Sequence, residues 1–207
     1  MKEAMEAEKA RRGAMKRKIV TVVGMLVMGG CTPDWARQGN SQQILLMTTV
    51  NDGHSLQSDV AISNGGVCPD RVLLRVENHF KNPNVTNTGF RGDLTIERYE
   101  VRYFRSDGRN QEGVDVPYRI TGNVAQEVQA AGAATLNLEV VRLQAKLEPP
   151  LINLRADRGR IGGPIVLTIF AEVTLHARTT TGQTTNAVSS RLQIDFADFA
   201  DSLTSCP

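Results

Sequence analysis

Ile165-Val166-Leu167-Thr168-Ile169-Phe170-Ala171-Glu172-Val173-Thr174-Leu175-His176-Ala177-Arg178 decides the fold class. Every odd position is apolar, while the even positions pass from Val166 and Phe170 to Glu172, Thr174, His176 and Arg178. Side chains of a strand alternate between its two faces, so this stretch reads as a long strand with one side in a core. A helix, at 3.6 residues per turn, would scatter the same apolar positions around its circumference.

Downstream, Thr179-Thr180-Thr181-Gly182-Gln183 supplies a glycine-bearing turn, and Val188, Ser190, Leu192, Ile194 and Phe196 alternate with Ser189, Arg191, Gln193 and Asp195. Two alternating runs around such a turn predict a hairpin. Upstream, Val72, Leu74, Val76 and Phe80 alternate with Arg75, Glu77 and His79 until Asn82-Pro83-Asn84. Leu94 to Arg105 is a further long strand, ending at the turn Ser106-Asp107-Gly108-Arg109. Its apolar phase starts on even positions (Leu94, Ile96) and finishes on odd ones (Tyr99, Val101, Tyr103), which predicts a β-bulge or bend near Glu97-Arg98. Gln43 to Val50, Leu56 to Ile62, Val116 to Ile120 and Thr135 to Val141 are shorter candidates. Arg142 to Leu147 fits either a strand or a helical face, Pro149-Pro150 ends it, and Leu151 to Arg155 suits a single helical turn. About seven to nine short strands with little helix predict an all-β fold, an antiparallel β-sandwich of immunoglobulin-like or fibronectin-like arrangement. It forms one domain over residues 42–207. Trp35 lies before it, so the Cys–Trp–Cys set of antibody domains is missing.

The chain has 207 residues, 41% hydrophobic and 22% charged, enough to bury a core. Residues 1–30 hold seven of its 24 Lys and Arg and three of its 22 acids, so the remainder carries 17 cations against 19 acids. Phosphate neutralisation needs clustered surplus cations, which disfavours nucleic acid as a partner. The remainder has Lys81 and Lys146 as its two lysines. No functional weight attaches to that skew.

Met15-Lys16-Arg17-Lys18, the apolar run Ile19 to Met28 and Gly29-Gly30-Cys31 follow the order of a secretory signal, residues 1–30. As a helix the run is about 15 Å long, against a bilayer core of about 30 Å. Met28-Gly29-Gly30-Cys31 resembles the lipobox of bacterial lipoproteins. That resemblance implies that the Cys31 thiol receives a diacylglycerol and that the lipoprotein signal peptidase cuts just before it. Removing thirty residues from 207 leaves a mature chain of 177. Thr32 stands where an aspartate would signal inner-membrane retention, so the expected place is the outer membrane, facing periplasm or cell surface. Residues 31–41, polar and bearing Gly and Pro, read as a lipidated tether. Residues 1–14 precede a second methionine that begins a complete signal, and the plain expectation is a misassigned start codon.

With Cys31 given to lipid, Cys68 and Cys206 remain, and in an oxidising compartment they are expected to pair as a disulfide. Separate thiols are the alternative; without CxxC or HxxxH spacing, metal binding is not expected. His79 and His176 fall on the polar phase of separate strands, His54 stands alone, and solvated surface histidines are the plainer reading. No GxSxG, HExxH or nucleotide-binding pattern is present, so no catalytic residue, metal or other cofactor is expected. The oxygen-rich stretch Asp107 to Asp115 lacks EF-hand spacing and reads as a polar connection. Asp195, Asp198 and Asp201 read as the solvated side of a strand end or a 3₁₀ turn, not as a carboxylate cage. Arg91-Gly92-Asp93 and Asn84-Val85-Thr86 match an integrin triplet and a glycosylation sequon, matches frequent by chance. The expected role is a binding or assembly module, anchored to the membrane through acyl chains on Cys31, that meets an envelope protein through a strand edge or loops. An envelope enzyme acting on glycan, peptide or lipid, and a purely structural protein, are the alternatives.

Overall fold

The computed structural model describes residues 41–62, 66–82, 84, 92–156, 166–199 and 206. The signal segment, Cys31, Trp35, the tether before Ser41, Val85-Thr86, Arg91, Ile165 and Asp201 lie outside the described residues. Among those described, eight strands follow in order: β1 (Gln43–Val50), β2 (Leu56–Asp59), β3 (Asp70–Phe80), β4 (Leu94–Phe104), β5 (Ile120–Val128), β6 (Ala133–Val141), β7 (Val166–Thr179) and β8 (Val188–Ala197). They form a three-stranded sheet β1-β3-β6 and a five-stranded sheet β2-β8-β7-β4-β5. Lettered along the chain these are A-B-E and A′-G-F-C-C′, the order of an immunoglobulin-like sandwich. Every strand pair is antiparallel except β2 with β8, which runs parallel. The chain changes sheets between β1 and β2 across the 3₁₀ turn Asn51–Gly53, and two further 3₁₀ turns, Leu143–Leu147 and Leu151–Leu154, follow β6.

The alternation in β7 is realised residue by residue: Leu167, Ile169, Ala171, Val173, Leu175 and Ala177 are all buried. They share one core with Val72, Leu74 and Val76 of β3 and Leu136, Leu138 and Val140 of β6. Burying each large aliphatic side chain contributes about 1.5–3 kcal/mol, so this interface dominates the stability of the sandwich. In β4 the register slips between Ile96 and Arg98 against both neighbours, and Glu97 and Arg98 are exposed in succession. The extra residue lets Leu94 and Ile96 on one side of it, and Tyr99, Val101 and Tyr103 on the other, reach the same core.

Two expected strands are corrected. Leu56 to Ile62 stops at Asp59, where β2 leaves β8. Val116 makes only an isolated bridge with Glu112, and β5 instead starts at Ile120 and runs to Val128. Edge strand β5 buries only Ile120 and Val128, so most of it carries no apolar alternation. Gly122 in it looks like a turn residue, but it pairs with Tyr99, and a Cβ there would stand 2.2 Å from the Tyr99 ring.

The register places the start of β1, the end of β3, the start of β4 and the ends of β5 and β7 at a near end, where the described chain begins. At that end the buried Asn78 amide donates to the carbonyls of Gly92, Val128 and Gln129. The far end holds the start of β3 and the ends of β4, β6 and β8. There Cys68 and Cys206 are joined, with Cα atoms 5.4 Å apart. Lys146, 1% exposed, donates to Asp70 at 2.9 Å and to the Asp59 carbonyl at 2.7 Å, and Ser58 donates to the same Asp70 carboxylate at 2.6 Å. Burial pushes the Asp70 carboxyl above the usual aspartate range, outweighing the downward pull of Lys146 and Ser58.

Candidate functional site

The sequence candidates do not converge. His79 is on the outer side of β3 and bonds Glu77 at 3.0 Å, whereas His176 is on the outer side of β7 in the other sheet. In the loop after β4, Asp107 accepts from Arg105 at 2.6 Å and from Arg109 at 3.0 Å, Glu112 from Arg119 at 2.9 Å, and Asp115 from the Gln111 amide. Those hydrogen bonds, first the one from Arg105, hold the Asp107 carboxyl well below its usual range. Asp195 accepts from Thr168 and Gln193, and Asp198 from the Ala156 amide. Asp93 is 7% exposed and accepts from the Ala130 amide, so it is a structural cap inside the sandwich.

The far end carries a cleft of about 230 Å³ between the segment leading into β5 and the one leaving β6. Its apolar lining is Pro117, Tyr118, Ile120, Ala145 and Pro149. Tyr118, 59% exposed, owes its position to Gly113, whose φ of +75° and missing side chain admit the ring; a Cβ there would stand 2.3 Å from the phenolic oxygen. The polar rim is tied back to the protein. Arg119 pairs with Glu112, Arg142 donates to the Thr121 carbonyl at 3.0 Å, and Gln144 donates to Glu148 at 2.7 Å. Leu143 and Leu147, on the 3₁₀ turn that forms one wall, and Val114, before the other wall, are also exposed. A preorganised apolar hollow with a fixed polar rim suits one bulky side chain of another molecule.

Neither a protein-family model nor a curated protein matches this chain. Among solved structures, one described as Northeast Structural Genomics Consortium target SoR45 is similar at 8% identity and a TM-score of 0.31, over 79% of this chain and 92% of that one. The periplasmic chaperone SfaE is similar at 11% identity and a TM-score of 0.27, over 75% of this chain and 58% of its own. The CooA pilin subunit from enterotoxigenic Escherichia coli gives 11% identity and a TM-score of 0.27, over 76% and 98%.

The strand edges are poor templates for adding a partner's strand. Thr48 bulges from β1, and the Asn186 side chain bonds both the amide and the carbonyl of Leu45, at 3.3 and 3.2 Å, as a neighbouring strand would. Edge strand β2 has four residues. In β5, Val124 and Ala125 face Glu97 alone, and Arg142 covers the Thr121 carbonyl. At the end of β6, Val140 has no partner across the ladder, and its carbonyl accepts the Tyr103 hydroxyl at 2.6 Å. Bulges, short strands and side-chain plugs are the devices by which sheets avoid edge pairing. The cleft was not legible in the sequence, because its walls come from two loops; the adjacent exposed Tyr118 and paired prolines were its only signal.

Proposed function

We propose that this chain is a lipid-anchored envelope protein, held in the outer membrane through Cys31, that binds another protein at the far end of its sandwich. The observation that carries the reading is the cleft beside Tyr118, an apolar hollow with tied-back arginines at the end opposite the one where the chain enters. Its occupant is one large apolar side chain on an extended partner segment, with a neighbouring carboxylate facing Arg142 and Arg119. The interrupted edges favour this mode over strand addition.

The full chain expressed in its own envelope, with p-benzoylphenylalanine placed at Tyr118, tests this. Irradiation should give a discrete protein adduct that is missing when the photoprobe replaces Arg75 on the outer side of β3. Arg142→Glu should reduce that adduct about tenfold. Equal adducts at both positions, or indifference to Arg142→Glu, would exclude the cleft. Separately, Cys31→Ala should abolish lipidation and release the protein from the detergent phase; a variant that still partitions there would overturn the anchor.

A further inference from the structure

The outer face of the five-stranded sheet holds a second recess, of about 360 Å³, unrelated to the cleft. It lies where the Glu97 bulge places two charged residues side by side on the solvent face. Glu97 is committed to Arg178, at 3.2 Å. Arg98 makes no ion pair or hydrogen bond among the described residues. Its neighbours across the ladder are Asn123 on β5 and His176 on β7, and Thr184, bridged to Arg178, lines the same recess. One uncommitted guanidinium is thus surrounded by an amide, an imidazole and a hydroxyl, all able to donate a hydrogen bond.

We propose that this recess binds a phosphate group, with Arg98 supplying the charge and His176, Asn123 and Thr184 neutral donors. A guanidinium matches tetrahedral oxyanions in both charge and geometry, and bulges commonly re-aim side chains at functional sites. Burial and then the Arg98 charge lower the His176 pKa, so the ring is neutral near pH 7. Glu100, one row along β4 and opposite Thr121 and Thr174, acts on the ring in the other sense, while Glu97 in the same recess is paired with Arg178. An anion beside Arg98 would cancel much of that cation's influence and raise the His176 pKa. With Glu100 nearby, the expected affinity is millimolar.

The test follows the imidazole resonances of the full chain in non-ionic detergent by NMR at pH 7, with inorganic phosphate, glycerol 3-phosphate or dihexanoyl phosphatidylglycerol. Saturable movement of the His176 signal is expected, with His54 and His79 unmoved, together with a His176 pKa raised by about half a unit at saturation. Arg98→Gln should weaken the response at least tenfold, while Arg71→Gln leaves it unchanged. Tighter binding of the short-chain lipid would assign the phosphate to a membrane headgroup, and tighter binding of the two soluble phosphates would assign it to a soluble ligand. No saturable movement with any of the three, or an equal response in Arg98→Gln, would overturn the proposal.

Discussion

The two ends of the sandwich are closed by different chemistry. At the near end one neutral amide, Asn78, gathers three carbonyls, and Asp93 caps the turn after β5. At the far end a covalent bond, Cys68–Cys206, ties the β2–β3 connection to a residue beyond β8, and a buried charge pair, Lys146–Asp70, ties the 3₁₀ turn after β6 to the start of β3. The turn between β5 and β6 is short and leaves few backbone groups to satisfy, so a single amide suffices there. The connection after β6 is longer and must be ordered against its own entropy, which the buried Lys146 offsets by fixing its first 3₁₀ turn.

Three perturbations would break or sharpen that contrast. Lys146→Met should be the most damaging, about 3–5 kcal/mol in urea unfolding, because it strands the Asp70 carboxylate in the interior. Its deficit should shrink as pH falls from 7 toward 4. A folded-state pKa raised above the unfolded value of about 3.9 means that the folded chain takes up a proton first, so stability rises as pH drops through the folded pKa. A deficit unchanged between pH 7 and 4 would show that Asp70 is not the group left uncompensated.

Next in size, replacing Cys68 and Cys206 with alanine should cost about 2–4 kcal/mol, since the bond closes a loop of 138 positions. Hydrogen exchange should quicken around Val72 and Val141 and stay slow around Asn78; uniform quickening would erase the distinction between the ends. Smallest is Asn78→Leu, about 1–3 kcal/mol in thermal unfolding, from carbonyls left short of donors. A loss as large as that of Lys146→Met would make the near end equally dependent on one side chain.

Strands that lie across the core were readable because both faces leave a mark on composition. In β7 the apolar phase is unbroken, and in β4 the change of phase between Ile96 and Tyr99 marks a bulge or bend near Glu97-Arg98, where the register slips. Edge strand β5 was hidden, because Thr121, Gly122, Asn123 and Gln126 answer to solvent and to the Tyr99 ring instead of to a core. The parallel pairing of β2 with β8 depends on where the chain changes sheets, which periodicity does not encode. Pairing of Cys68 with Cys206 followed from counting thiols. Lys146, set aside as one of two lysines in a composition skew, is the buried cation of the far end, and its counter-ion Asp70 is 76 positions away in sequence.

The Asn186 bridge to Leu45 has a mechanical side. Whatever pulls on residues before Gln43 pulls on β1, and β1 lies lengthwise against β3 from Gln43 opposite Phe80 to Val50 opposite Leu74. A tug toward the near end, resisted by a partner gripping the far end, would slide β1 along β3 and strain its rungs together; a sideways pull would open them one after another. Asn186 adds two more bonds beside Leu45, close to the point where the tension arrives. Were the proposed anchor and partner both engaged, the domain would resist in shear, and its working lifetime under tension would be set by how long those few bonds near Leu45 hold.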